Sequence, residues 1–94
     1  SQYVRDFILE RFQLLAVVSL PQCAFAHFGA GVKASVIFVR KRGNNEVANN
    51  EEAIFMAAPE LIGYDATARK TESQLDEIVE QYKKFLEDPI PFFV

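Results

Sequence analysis

Side chains that do chemistry are scarce in this chain of 94 residues. Its one cysteine, Cys23, excludes an internal disulfide framework and suits a reducing, cytoplasmic compartment. Its one histidine, His27, pairs with Cys23 as Cys-x-x-x-His, an incomplete ligand set for structural zinc. Cys23 therefore reads as a small buried hydrophobe, and no metal ligand or catalytic residue is assigned. Net charge is -3, so no global basic field exists to hold nucleic acid nonspecifically. Three consecutive basic residues occur only at Arg40-Lys41-Arg42. No apolar run is long enough to span a bilayer, and no signal peptide is visible. Gly29-Ala30-Gly31 lacks the spacing of a dinucleotide loop and precedes a strand, so it reads as a sharp turn. Glu51, Glu52, Glu60 and Asp65 form no acid–base pair and read as solvated surface.

What the chain does have is apolar bulk. Hydrophobic residues make up 50% and charged residues 24%, which argues for one folded domain and against disorder. A domain this small has a marginal core, and nine phenylalanines are many for it to hide. The surplus is expected to pack on a partner subunit or on the rest of a longer protein. The chain opens in a helix-like segment without an initiator methionine, which suggests an excised or processed piece.

Val4, Phe7, Ile8 and Phe12 recur at helical spacing and predict an amphipathic helix over Tyr3–Phe12. Leu14–Leu20 is a short apolar run that predicts a buried strand, stopped by Pro21. Val32–Arg40 predicts a second strand, apolar on both faces and so interior to a sheet. Residues 45–52 are polar and predict disorder or a long hairpin loop. Ala53–Ala58 predicts a third strand ending at Pro59, and Leu61–Lys70 reads as loop. Leu75, Ile78, Val79, Tyr82 and Leu86 form a helical stripe with Phe85 beside it. Ser73 and Asp76 have the spacing of a capping box, and Pro89 and Pro91 end that helix. The order is helix-strand-strand-strand-helix, an α/β arrangement. The loop between the first two strands holds two rings, Phe25 and Phe28, where loops are usually polar. They either cap the core or grip something flat.

Several of these features recur in a fixed order. Arg5 lies in a helix, Leu20-Pro21 closes a strand, and Phe25 follows that proline by four residues. Gly31-Val32-Lys33 opens the next strand and Arg40-Lys41 closes it. Ile62-Gly63-Tyr64-Asp65 and a helix come after. This pattern resembles the C-terminal part of the catalytic domain of N6-adenine-specific DNA methyltransferases, nearest to the modification subunit of type I restriction-modification systems. The resemblance implies a fragment of a Rossmann-like methyltransferase sheet whose last two strands form an antiparallel hairpin. Residues 1–42 would be the terminal helix and strand pair, 43–52 a flexible loop, and 53–94 a C-terminal strand, loop and helix extension. It implies that Phe25 stacks on the flipped-out adenine, because a ring face is a good platform for an extruded base. The alternative for Phe25 is a plain cap on the sheet end. Lys33, Arg40 and Lys41 are the candidate DNA phosphate contacts, against a solvated strand end as the bland alternative.

The parent would use S-adenosyl-L-methionine, and its partners would be DNA, a specificity subunit and a restriction subunit. The family's glycine-rich cofactor loop and its (Asn/Asp)-Pro-Pro-(Tyr/Phe) motif are not in this sequence. The chain by itself is therefore expected to be inactive and to hold no cofactor. The competing expectation is a noncatalytic α/β interaction module that forms a homodimer through exposed apolar surface. A self-standing DNA-binding domain is a third reading, opposed by the net charge of -3.

Overall fold

A computed structural model describes residues 2–29, 31, 33–49, 51–90 and 92–93. Helix α1 (Gln2–Arg11) runs directly into strand β1 (Phe12–Ser19). Two 3-10 turns (Gln22–Ala24 and Ala26–Phe28) lead to β2 (Ser35–Lys41). Then come β3 (Phe55–Ala57), β4 (Ile62–Tyr64), β5 (Lys70–Ser73), α2 (Leu75–Glu87) and β6 (Phe92–Phe93). The main sheet is mixed, in the order β2-β1-β3-β6. β1 and β2 are an antiparallel pair running from Phe12 opposite Lys41 to Ser19 opposite Ser35, with a register shift between Leu14 and Ala16. β3 lies parallel to β1, Ala16 opposite Phe55. β4 and β5 form a separate antiparallel hairpin.

The near-continuous apolar run of β1 has its cause here, since β1 has a strand on each side. β2 does not fit the expectation of an interior strand. It is the edge of the sheet, and all seven of its residues are exposed. Two apolar faces do imply neighbours, but the run cannot say whether this chain supplies them. The segment after β2 is not a hairpin loop either. It crosses from the sheet edge to β3 on the far side of β1.

α2 packs on one face of the sheet. Ala16, Phe55, Ala57, Ile78 and Phe85 form the buried cluster, with Val18, Ala53 and Tyr82 against it. Small alanines on β1 and β3 make room for the Phe55 ring, whose centroid lies 5.2 Å from Tyr82 and 5.7 Å from Phe85. Only Ile78 and Phe85 of the α2 stripe are buried, while Leu75, Val79 and Leu86 stay exposed. α2 leaves an apolar groove of about 320 Å³ toward β2, lined by Val36, Phe38, Val79 and Tyr82 among others. α1 has no buried residue at all. Its periodicity made a helix, but none of the described residues fully covers the stripe. Arg11 instead lies 4.0 Å over the Phe7 ring.

The 61–70 segment is not a plain loop. Asp65 accepts from the Thr67 and Arg69 backbone N–H groups at 2.9 and 3.0 Å, and from the Thr67 hydroxyl at 2.8 Å. That short-range network turns the chain tightly enough to pair β4 with β5. The Thr67 hydroxyl, then the Arg69 amide, hold the Asp65 carboxyl below its usual range. The expected capping box is absent too. Gln74 is the N-cap, and Ser73 Oγ accepts only from Leu75 N–H at 3.2 Å. The Gln74 side chain is spent elsewhere, accepting from the Glu60 and Leu61 N–H groups at 2.8 and 2.9 Å.

Candidate functional site

In sheets with parallel strands, ligand sites form outside the carboxyl ends of those strands. Here β1 and β3 are parallel and end at Ser19 and Ala57. A cleft of about 400 Å³ opens at that end, lined by residues that include Leu20, Pro21, Gln22, Lys33, Pro59 and Glu60. The loop carrying Phe25 leaves the sheet from the same edge of the cleft.

The loop is built from short local bonds. Leu20 N–H donates to Ala34 C=O at 2.9 Å and closes its base. The Gln22 side chain donates to Gly31 C=O at 3.1 Å across it. Ala24 N–H reaches Pro21 C=O at 3.0 Å, and Phe28 N–H reaches Phe25 C=O at 3.1 Å. Phe25 is the joint between the two 3-10 turns, with φ -119° and ψ 7°. Gly29 then takes φ +85°, a left-handed conformation that ends the second turn and that glycine adopts without strain.

Ala24 is buried, Phe25 is 37% exposed and Phe28 is 74% exposed. Phe28 rests on the His27 ring at 4.0 Å between centroids, and His27 meets Tyr64 edge-on at 5.3 Å. The Tyr64 hydroxyl donates to Ala24 C=O at 2.8 Å. The aromatic loop is therefore half-fastened, its backbone pinned and its rings facing outward.

The four residues singled out from sequence fall into two groups. Lys33 lines the cleft at the carboxyl end of β1, and Phe25 stands on the loop that leaves that strand end. Arg40 and Lys41 lie at the other end of β2, roughly 23 Å from Lys33 along a strand rising about 3.3 Å per residue. Arg40 is also occupied. Its guanidinium donates to Gln13 Oε1 at 3.1 and 2.9 Å and pairs with Glu46. The side chains of Lys33 and Lys41 have no hydrogen bond or ion pair among the described residues. Of the basic candidates, Lys33 alone combines a side chain without a partner among the described residues with a place in the cleft.

Arg42 was the missed residue. It ends a basic run that reads as surface, yet its side chain is only 3% exposed. Its guanidinium donates twice to the Glu52 carboxylate, at 2.8 Å each, and pairs with Glu46 at 3.3 Å. Its Nε donates to Leu9 C=O at 3.2 Å. Glu52 is thus not a solvated acid but the counterion of a buried arginine. The Arg42 hydrogen bond holds the Glu52 carboxyl below its usual range, and the Arg40 hydrogen bond does the same for Glu46. Arg42 is raised in turn, chiefly by Glu52. A cavity of about 630 Å³ borders Arg42, Glu52, Leu9 and Leu14. It lies at the opposite end of the sheet from Phe25, and Arg42 already spends its donors within the protein. This cluster clasps the crossover segment to the α1–β1 corner.

Among the described residues no three or more His, Cys, Asp or Glu side chains gather as a metal site, and no helix is long and apolar enough to cross a membrane. Comparison with known protein families, with curated proteins and with solved structures finds no match for this chain.

Proposed function

We propose that the chain is part of a DNA adenine-N6 methyltransferase of the type I modification-subunit kind. The parent transfers a methyl group from S-adenosyl-L-methionine to an adenine amino group in DNA, and this part supplies the ring-bearing loop. The observation that carries the reading is the half-exposed Phe25 ring on the loop that leaves β1 at the carboxyl end of a parallel strand pair, the end at which Lys33 lines the cleft. A base taken out of the stack needs a flat apolar surface, and its flanking phosphate needs a cation. Phe25 offers the first and Lys33 the second. Arg40 is engaged at the far end and drops out of the phosphate set. The bare edge of β2 also suits a sheet that continues in the parent.

Of the cleft residues only Glu60 is acidic, and none belongs to a glycine-rich loop. These residues do not fit the cofactor, so its binding and the chemical step lie in the remainder of the parent. What this chain contributes is binding and orientation of the base. Specificity for a DNA sequence belongs to a separate subunit.

The test is methylation by the complete gene product, using labelled S-adenosyl-L-methionine and duplex DNA. Label is expected on the adenine amino group. Phe25→Ala is expected to lower kcat/KM by about 5–150-fold, the rate equivalent of losing one ~1–3 kcal/mol stack. A reading frame lacking both the glycine-rich loop and the Asn/Asp-Pro-Pro-aromatic motif, or unlabelled adenine, overturns the proposal.

A second reading has its own observation. β2 exposes Val36, Ile37, Phe38 and Val39 along an unpaired edge, next to the apolar groove against α2. A noncatalytic module would cover that surface with a second copy of itself, edge to edge. Sedimentation of the purified chain as a well-folded monomer disposes of this reading.

A further inference from the structure

We propose that Tyr64 is the positioning residue for the Phe25 ring, acting through the Ala24 carbonyl; this rests on the base-stacking reading of Phe25. The loop cannot hold itself firmly. Its two 3-10 turns have no side-chain caps, and such turns are weaker than α-helical ones. Tyr64 comes from β4, more than thirty residues downstream, and reaches the loop with three of its groups. Its hydroxyl donates to Ala24 C=O at 2.8 Å, and its carbonyl oxygen lies 3.9 Å from the Cys23 thiol. Its ring meets the edge of His27. These contacts bracket Phe25 from residues 23, 24 and 27.

The Ala24 contact matters most for the ring. The Ala24 carbonyl and the Phe25 N–H share one rigid peptide plane, so pinning that oxygen restricts rotation about the Phe25 φ. Ala24 is 2% exposed, so its carbonyl has little water to replace a lost partner. Tyr64 is itself seated by the β4–β5 pairing, opposite Lys70. The C-terminal hairpin thus presets the ring before a base arrives.

Tyr64→Phe removes only the hydroxyl and keeps the ring against His27. In the complete gene product, kcat is expected to fall roughly 3–10-fold, the rate equivalent of one ordinary hydrogen bond. KM for DNA is expected to stay within about twofold, because Lys33 and the other DNA contacts are untouched. On a Phe25→Ala background, Tyr64→Phe is expected to change kcat less than about twofold, since the two residues then act as one unit. Losses that multiply independently, or a rise in KM alone, overturn the proposal. Amide exchange on the isolated chain separates this from the functional reading. Tyr64→Phe is expected to speed exchange at Phe28 and Gly29, whose amides close the second turn, by roughly 3–10-fold while the β4–β5 amides hold. Unchanged exchange overturns the anchoring even if the protein methylates DNA. If the protein does not methylate DNA, the functional reading falls and the exchange result decides the anchoring.

Discussion

Replacing Phe55 with alanine removes the side chain that joins the sheet to α2. Phe55 is 1% exposed and is the largest fully buried side chain among the described residues. It is in ring contact with Tyr82 and Phe85, and α2 has only Ile78 and Phe85 buried to hold it down. Ala16 and Ala57, the neighbouring buried residues on β1 and β3, are too small to fill the space left behind. The expected loss is therefore about 4 kcal/mol, within the ~3–5 kcal/mol usual for Phe→Ala in a core. At about 0.05–0.15 kcal/mol per residue, a chain this size has roughly 5–14 kcal/mol in all. Thermal unfolding by circular dichroism is expected to shift down by about 15–30 °C, at ~4–8 °C per kcal/mol. Phe55→Leu keeps most of the volume and is expected to cost about 1–2 kcal/mol. A shift under about 5 °C for Phe55→Ala would show that α2 is held by something other than this cluster.

Other outcomes follow from the clasp, the free lysine and the bare edge. Glu52 and Glu46 have folded pKa values below their ordinary 4.5, so the stability they add is fully present above about pH 4.5. It is lost as pH falls from there through the folded values; Glu52→Gln should flatten that acid-side drop in melting temperature, and an unchanged drop refutes the assignment. Lys33→Ala in the complete gene product is expected to reduce the salt slope of DNA binding by about one phosphate contact, while Arg40→Ala leaves the slope alone. The reverse result would put the phosphate at the opposite end of β2. Val39→Lys places a charge on the exposed β2 edge and is expected to abolish any self-association seen by sedimentation, without lowering the melting temperature. Association that survives the charge points away from β2.

The residues on which the proposed function rests were legible in their order along the chain, but their spatial grouping was not. Phe25 and Lys33 are eight positions apart in sequence and both belong to the β1–β2 connection, at one end of those strands. Lys33 and Arg40 are seven apart and lie at opposite ends, because an extended strand separates them. The antiparallel pairing keeps the first pair at one strand end, and the strand's own length parts the second. Arg42 was unreadable for a related reason. Nothing in a run of three basic residues says which one turns inward, and Glu52 meets it only after the crossover is formed. Tyr64 likewise stood in a segment that reads as loop, forty residues from the carbonyl it binds.

By itself the sequence determined both helices, the three apolar strands of the main sheet that it predicts, and the glycine turn behind Phe28. Those depend on periodicity, proline stops and backbone freedom, which are local properties of the chain. Only the tertiary structure decided that β2 is an edge, that α1 lacks a buried residue, and that Arg42 is a buried counterion. It also decided that Phe25 is held from a distant hairpin. Each of these is a matter of which neighbour arrives, and an apolar or charged side chain carries no record of the partner that will cover it.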